Sequence, residues 1–236
     1  EMQLQRDEIE ALYEETSAMH DDVTQKNTEI IFQKEEITAL YEETIAMNDE
    51  LNNLFDKLKI SYLNTVTSMA KAIEAKDSYT GGHCQRVTEY SLAIARKMGL
   101  QEEEMTNLEF AAQLHDIGKI TIDSSILNKE GWLTQEEYEI IKTHPKVGFD
   151  IIAGQEFLYR SSIAICQHHE RVDGKGYPNG SKGDEIDDLA KIIAITDSYD
   201  AMTSSRPYRK IPLSKTEAIE ELMKNKASQF DERIVD

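Results

Sequence analysis

Along the first 60 residues, apolar side chains return every three and then every four positions. With Ile9 as the first position of a heptad, that series runs Ile9, Thr16, Val23, Ile30, Ile37, Thr44, Leu51, Leu58; the fourth-position series runs Leu12, Met19, Lys26, Gln33, Leu40, Met47, Leu54. A period of about 3.5 residues held this long predicts one helix in a coiled coil, interrupted by polar side chains at Thr16, Lys26, Gln33 and Thr44. The segment Glu8–Thr16 recurs with one change as Glu36–Thr44. The offset of 28 residues is a whole number of heptads, so both copies present the same face. Such a helix is roughly 90 Å long and cannot bury its seam alone. A parallel homodimer is therefore expected rather than a solvated single helix. The rod would carry a signal from an upstream module by a shift of register or twist.

Past residue 60 the acidic heptads stop and shorter amphipathic stretches follow. The first helix is expected to run on to Lys76, where Asp77-Ser78-Tyr79-Thr80-Gly81-Gly82 breaks it. A helix is predicted from His83 to Met98, closed by Gly99, and another from Glu102 to His115. Thr134 with Glu137, and Ser214 with Glu217, have capping-box spacing and mark two further helix starts. An apolar helix ends at Gln167, another covers Leu189–Thr203, and no stretch alternates as a strand would. The chain reads as all-α: a coiled-coil signalling helix over residues 1–60 and a helical bundle over residues 61–236.

Composition narrows this further. Cys84 and Cys166 lack CxxC spacing and read as small core residues in a reducing, cytoplasmic compartment. No run approaches the ~18 apolar residues of a membrane span. The chain opens on Glu1, and a longer signalling protein with an upstream sensory domain is expected. Net charge is -19, and residues 1–60 contribute -11 of it from 16 acidic and 5 basic side chains. This argues against binding polymeric nucleic acid, which needs a basic patch. An anionic substrate would have to be met by local cations.

The chemistry gathers around Leu114-His115-Asp116-Ile117-Gly118-Lys119. Of six histidines, His83, His115, His144, His168 and His169 sit at or near the ends of predicted helices; His20 lies on the coiled coil. Neutral imidazoles and carboxylates suit first-row divalent metals, and one carboxylate can bridge two of them. With Asp116 and Asp197, the five histidines point to a shared metal cluster rather than to separate core positions. Helical neighbours point about 100° apart, so His168 and His169 cannot easily grip one ion. Two ions bridged by Asp116 would give each a partner. Such a pair, about 3.5–4 Å apart, is a device for phosphoester hydrolysis.

The chain resembles the HD superfamily of metal phosphohydrolases through His115-Asp116. It resembles the HD-GYP subfamily more closely, through His115-Asp116-Ile117-Gly118-Lys119, His168-His169-Glu170 and Asp173-Gly174-Lys175-Gly176-Tyr177-Pro178. The resemblance covers about residues 63–234 and implies an all-α phosphodiesterase that hydrolyses cyclic di-GMP with iron or manganese. It implies as ligands His83, His115, Asp116, His144, His168, His169 and Asp197. It further implies that Lys119, Arg206 and Arg209 receive the phosphates, and that Gly176 and Tyr177 line the substrate cleft. Asp200 would hold or polarise the nucleophilic water, making Asp116, Lys119 and Asp200 the catalytic residues. Glu170 is expected to orient a ligating histidine. One position departs from the pattern: members equipped for a third metal carry glutamate where this chain has Tyr79, and a phenol of pKa near 10 cannot replace a carboxylate. Two divalent ions are therefore expected, with linear pGpG as the main product and further cleavage to GMP left open as an inefficient second step. Two alternatives stay open: an HD-type hydrolase of another cyclic dinucleotide or nucleotide, and a catalytically weak sensor or interaction module.

Overall fold

The computed structural model describes residues 2–76, 81–205 and 211–236, apart from the side chains of residues 3–5. Tyr79, Arg206 and Arg209 lie outside the described residues. The heptad pattern is realised as α1 (Met2–Glu74), a single uninterrupted helix. Its seam residues Ile9, Leu12, Met19, Val23, Ile30, Ile37, Leu40, Met47, Leu51, Leu54 and Leu58 are all exposed in the single chain. The structure divides into two compact units, one ending at Tyr62 and the other running from Leu63 to Asp236.

The second unit begins with the last turns of α1, which bury Val66, Ala70 and Ile73. Next come α2 (His83–Met98) and α3 (Glu102–Leu114). Gly99 ends α2 at φ 78°, the left-handed conformation that a glycine adopts without a Cβ penalty. A 3-10 turn over Ile117–Thr121 leads to α4 (Ser124–Leu127), α5 (Gln135–Ile141), α6 (His144–Ile152) and α7 (Tyr159–Gln167). The chain closes with α8 (Asp188–Thr203), α9 (Lys215–Lys224) and α10 (Glu232–Val235). Both expected capping boxes form. Thr134 Oγ1 accepts from Glu137 N at 3.2 Å while Glu137 Oε2 accepts from Thr134 N at 2.7 Å, and Ser214 and Glu217 make the same exchange. No strand occurs among the described residues beyond one isolated bridge between Lys226 and Phe230, so the all-α expectation holds. No helix among them is long and apolar enough to cross a membrane.

The core lies where α2, α3, α7 and α8 pack on one another, with α9 against α8 and α6 against α7. Val87, Leu108, Ala111, Ala112, Ile165, Ala190, Ile192 and Ile193 are fully buried there, the larger ones each stabilising by about 1.5–3 kcal/mol. One close approach places the site. A Cβ on Gly118 would overlap the carbonyl oxygen of His144 and come within 2.7 Å of Gly148 N. Only glycine lets the turn after His115-Asp116 lie directly on the start of α6, which brings His144 beside them.

Candidate metal centre

Helix ends supply the histidines. His83 and His144 are the first residues of α2 and α6, His115 follows α3, and His168-His169 follow α7. The buried rings of His115, His144 and His168 each hydrogen-bond through Nδ1 to the carbonyl three residues back, at Ala112, Ile141 and Ile165, at 2.7 Å in every case. A carbonyl can only accept, so Nδ1 carries the hydrogen and the Nε2 lone pair is left for the centre.

These atoms form two triads. His83, His115 and Asp197 each offer a ligand atom within 4.8 Å of the others, and so do His144, His168 and His169. Asp116 stands between them. Its Oδ1 is 3.4 Å from His144 Nε2, while its Oδ2 is 3.5 Å from His115 Nε2 and 3.9 Å from His83 Nε2. Ring contacts join the triads: the centroids of His115 and His168 are 5.2 Å apart. All seven residues named as ligands in the sequence therefore converge. His168 and His169, however, fall in one triad, with ring centroids 4.1 Å apart, against the expectation that they could not easily grip one ion. The reason is that α7 ends at Gln167, so the 100° spacing of helical neighbours does not govern them.

Two observations show that the pocket fits divalent metal. His115 Nε2 is buried with no hydrogen-bond partner among the described residues, a cost that a protein-only core would avoid. His144 Nε2 and His168 Nε2 face each other at 3.3 Å. With both hydrogens on Nδ1, two lone pairs meet there, which a cation between them would turn into attraction. The imidazole and carboxylate donors admit several first-row metals.

The triads differ in proton preference. Burial pushes His144 down to about 3 and His169 down to about 4, and it holds His168 well below the ordinary imidazole value. Burial works against the proton on His83 as well, yet hydrogen bonds to Asp197 and Asp200 outweigh it and carry the ring up to about 9. Burial also opposes the charge on Asp116 and Asp197. Lys119 and the surrounding histidines nonetheless keep Asp116 well below the carboxylate range, and His83 does the same for Asp197.

The neighbouring side chains revise several expected roles. Asp200 was expected to act on water, but it is buried behind His83: its Oδ2 lies 2.6 Å from His83 Nδ1, and Arg86 binds both its oxygens. Lys119 Nζ lies 2.6 Å from Asp116 Oδ2, at the centre itself. Glu170 was expected to orient a histidine. Its carboxylate instead accepts the backbone N–H groups of Asn179, Gly180 and Ser181, pinning the glycine-rich loop. Gly176 lies so close to the segment His169–Arg171 that a Cβ would come within 2.5 Å of Glu170 Cα. The Tyr177 ring stacks on His169 with centroids 4.8 Å apart. These loop residues, with Tyr138, Arg171, Lys175, Ser198, Gln229 and Phe230, line a cleft of about 510 Å³ that reaches His168 and His169. Sequence reasoning passed over Arg86, Tyr138, Arg171 and Gln229. Arg86, three residues after His83 on one helix, was the one with a readable signal. Cys84 and Cys166 are free thiols outside both triads.

A profile of the HD domain matches residues 67–234. The chain belongs to the HD domain family. Curated relatives include the cyclic di-GMP phosphodiesterase response regulator RpfG of Xanthomonas campestris pv. campestris, 38% identical over 73% of this chain and 46% of the relative. The cyclic di-GMP phosphodiesterase of Thermotoga maritima is 42% identical over 69% of this chain and 45% of its own length. The 3'3'-cGAMP-specific phosphodiesterase 2 of Vibrio cholerae is 36% identical over 78% of this chain and 35% of its own. This HD domain chain thus spans less than half the length of these relatives. Among solved structures, a cyclic GMP-AMP specific phosphodiesterase of V. cholerae aligns with TM-score 0.55 at 22% identity, over 72% of this chain and 46% of the other. Bd1817 of Bdellovibrio bacteriovorus aligns with TM-score 0.56 at 23% identity, over 74% and 57%. These two likenesses establish the fold.

Proposed function

We propose that this HD domain hydrolyses a cyclic dinucleotide, cyclic di-GMP, to linear pGpG as the output of a signalling protein. The observation that carries the proposal is the pair of triads joined by Asp116, with inward lone pairs, one of which sends His168 and His169 to the wall of a cleft that also holds Arg171 and Lys175. The names of the relatives from X. campestris and T. maritima support the substrate. A second reading, 3'3'-cGAMP, is favoured by V. cholerae relatives named for that substrate at 36% and 38% identity.

Two divalent ions, iron or manganese, would be held by His83, His115 and Asp197 and by His144, His168 and His169, with Asp116 shared between them. Bound there, such ions supply Lewis acidity and lower the pKa of water, as phosphodiester hydrolysis requires. The chain supplies the rest. Lys119 places a cation beside Asp116, and Arg206 and Arg209 add two more for a substrate carrying two negative phosphates into a protein of net charge -19. Arginine suits this role because its fork donates two hydrogen bonds at once. Tyr177, fixed against His169, offers a face on which a base can stack.

We further propose that residues 1–60 pair with a second copy of the chain. Eleven exposed apolar seam residues need a partner, and the repeated nine-residue segment would meet its own copy in register. The unpaired thiols of Cys84 and Cys166 fit a cytoplasmic setting, and an upstream sensory domain would drive the rod. Anaerobic reconstitution with Fe(II) or Mn(II), followed by incubation with cyclic di-GMP, 3'3'-cGAMP and cyclic di-AMP, tests the activity. Conversion of cyclic di-GMP to pGpG is expected. Binding without product would make the domain a sensor, and faster turnover of 3'3'-cGAMP would reassign the substrate.

A further inference from the structure

Arg86 lies three residues after His83 on α2, so both side chains leave the same face of the helix. Its guanidinium grips Asp200 twice, donating from Nε to Oδ1 at 2.6 Å and from Nη2 to Oδ2 at 3.1 Å. Asp200 is 1% exposed, and its Oδ2 meets His83 Nδ1 at 2.6 Å. The other donors of Arg86 reach outward: Nη1 to the carbonyl of Gly81 at 3.0 Å, and Nη2 to the hydroxyl of Ser204 at 3.3 Å. One side chain therefore ties the approach to α2 to the end of α8. Through a single carboxylate it also bears on the ring of a proposed ligand.

We propose that Arg86 is a positioning residue that aims His83 Nε2, and so sets the metal affinity of the His83, His115, Asp197 triad without affecting the His144, His168, His169 triad. The inference rests on the metal-centre reading of His83. Without Arg86, the buried Asp200 carboxylate loses two charge-assisted hydrogen bonds and the geometry they enforce. The imidazole it orients then loses its fixed direction, and groups that orient a ligand in this way typically govern metal affinity by about 10–100-fold. Lysine cannot substitute, because one ammonium cannot grip both oxygens while also reaching Gly81 and Ser204.

The test is Mn(II) titration of the full chain in competition with a chelator, for wild type, R86A and R86K. R86A should weaken one bound ion by about 10–100-fold and leave the other unchanged, with R86K recovering little. On an H144A background, where the His83 triad alone remains intact, R86A should cause the same loss. Equal weakening of both ions, unchanged affinities, or full recovery by R86K would overturn the proposal. If circular dichroism shows R86A unfolded, R86K and R86Q carry the comparison under the same criteria. No nucleotide is present, so a chain that binds both ions but turns over no cyclic dinucleotide refutes the proposed activity and leaves this inference standing. A wild type that binds no divalent ion overturns both.

Discussion

The two triads of this HD domain lie side by side and offer opposite chemistry. One is His83, His115 and Asp197, with Asp200 behind it; the other is three imidazoles, His144, His168 and His169. Without metal, the carboxylate-rich arm holds a proton on His83, while the imidazole arm sheds its protons because burial disfavours charge and nearby histidines repel it. The difference shows that the site is not a symmetric pair. One arm balances the charge of an ion before it arrives, and the other offers only lone pairs. Asp116 is the residue that makes them a single site.

The largest expected effect comes from removing that link. Asp116→Ala should lower turnover by more than the ~10²–10³ typical of losing one electrostatic contact, and should lower bound metal measured by elemental analysis; full activity with full metal would refute the shared site. The single-arm variants His83→Ala and His144→Ala should each lose about one ion and retain the other, so equal loss of both ions in either variant would break the asymmetry. Removing metal altogether should destabilise the fold. An ion at 100 times its Kd contributes about 2.7 kcal/mol, so chelation should lower Tm by roughly 5–10 °C per ion, read by calorimetry.

Proton linkage is a finer probe of the same contrast. In metal-free protein the folded pKa of His83 lies above its unfolded value near 6.5, so its contribution is complete below pH 6.5 and is lost as pH rises through about 9. His144 and His169 run the other way. Their folded values lie near 3 and 4, so unfolded chains bind protons that folded chains refuse, and stability falls as pH drops from 6.5 into that range. Nitrogen-edited NMR at pH 7 should find His83 charged and the other two neutral, with urea unfolding weakening on both sides. Uniform histidine titration near pH 6.5 would erase the distinction. The smallest effect is expected at the loop on the imidazole side. Glu170→Gln should raise KM by about tenfold through weakened hydrogen bonds to the Asn179–Ser181 backbone, leaving metal content unchanged.

Much of this architecture could be read from the chain. Heptad spacing, Gly99 and the capping pairs Thr134–Glu137 and Ser214–Glu217 specify helices by local rules, and the described structure follows them. The residues that converge on the candidate centre were legible because histidine and aspartate at the ends of apolar helices are costly without a shared purpose. The roles of Asp200 and Glu170 were not legible, since a carboxylate carries no label for what it will face. Asp200 meets His83 and Arg86 across more than 110 residues of sequence, and Glu170 meets a loop whose path depends on the close approach at Gly176.

By itself, then, the sequence determined the helices, the apolar seam of α1 and the identity of the donor atoms, because these follow from spacing and side-chain chemistry along a local backbone. Only the tertiary structure decided that the donors divide into two triads of unlike charge, that Asp116 turns one oxygen toward each, and that Arg86 stands behind one arm. Those outcomes depend on distances between segments far apart in sequence, such as the contact that Gly118 permits with the start of α6.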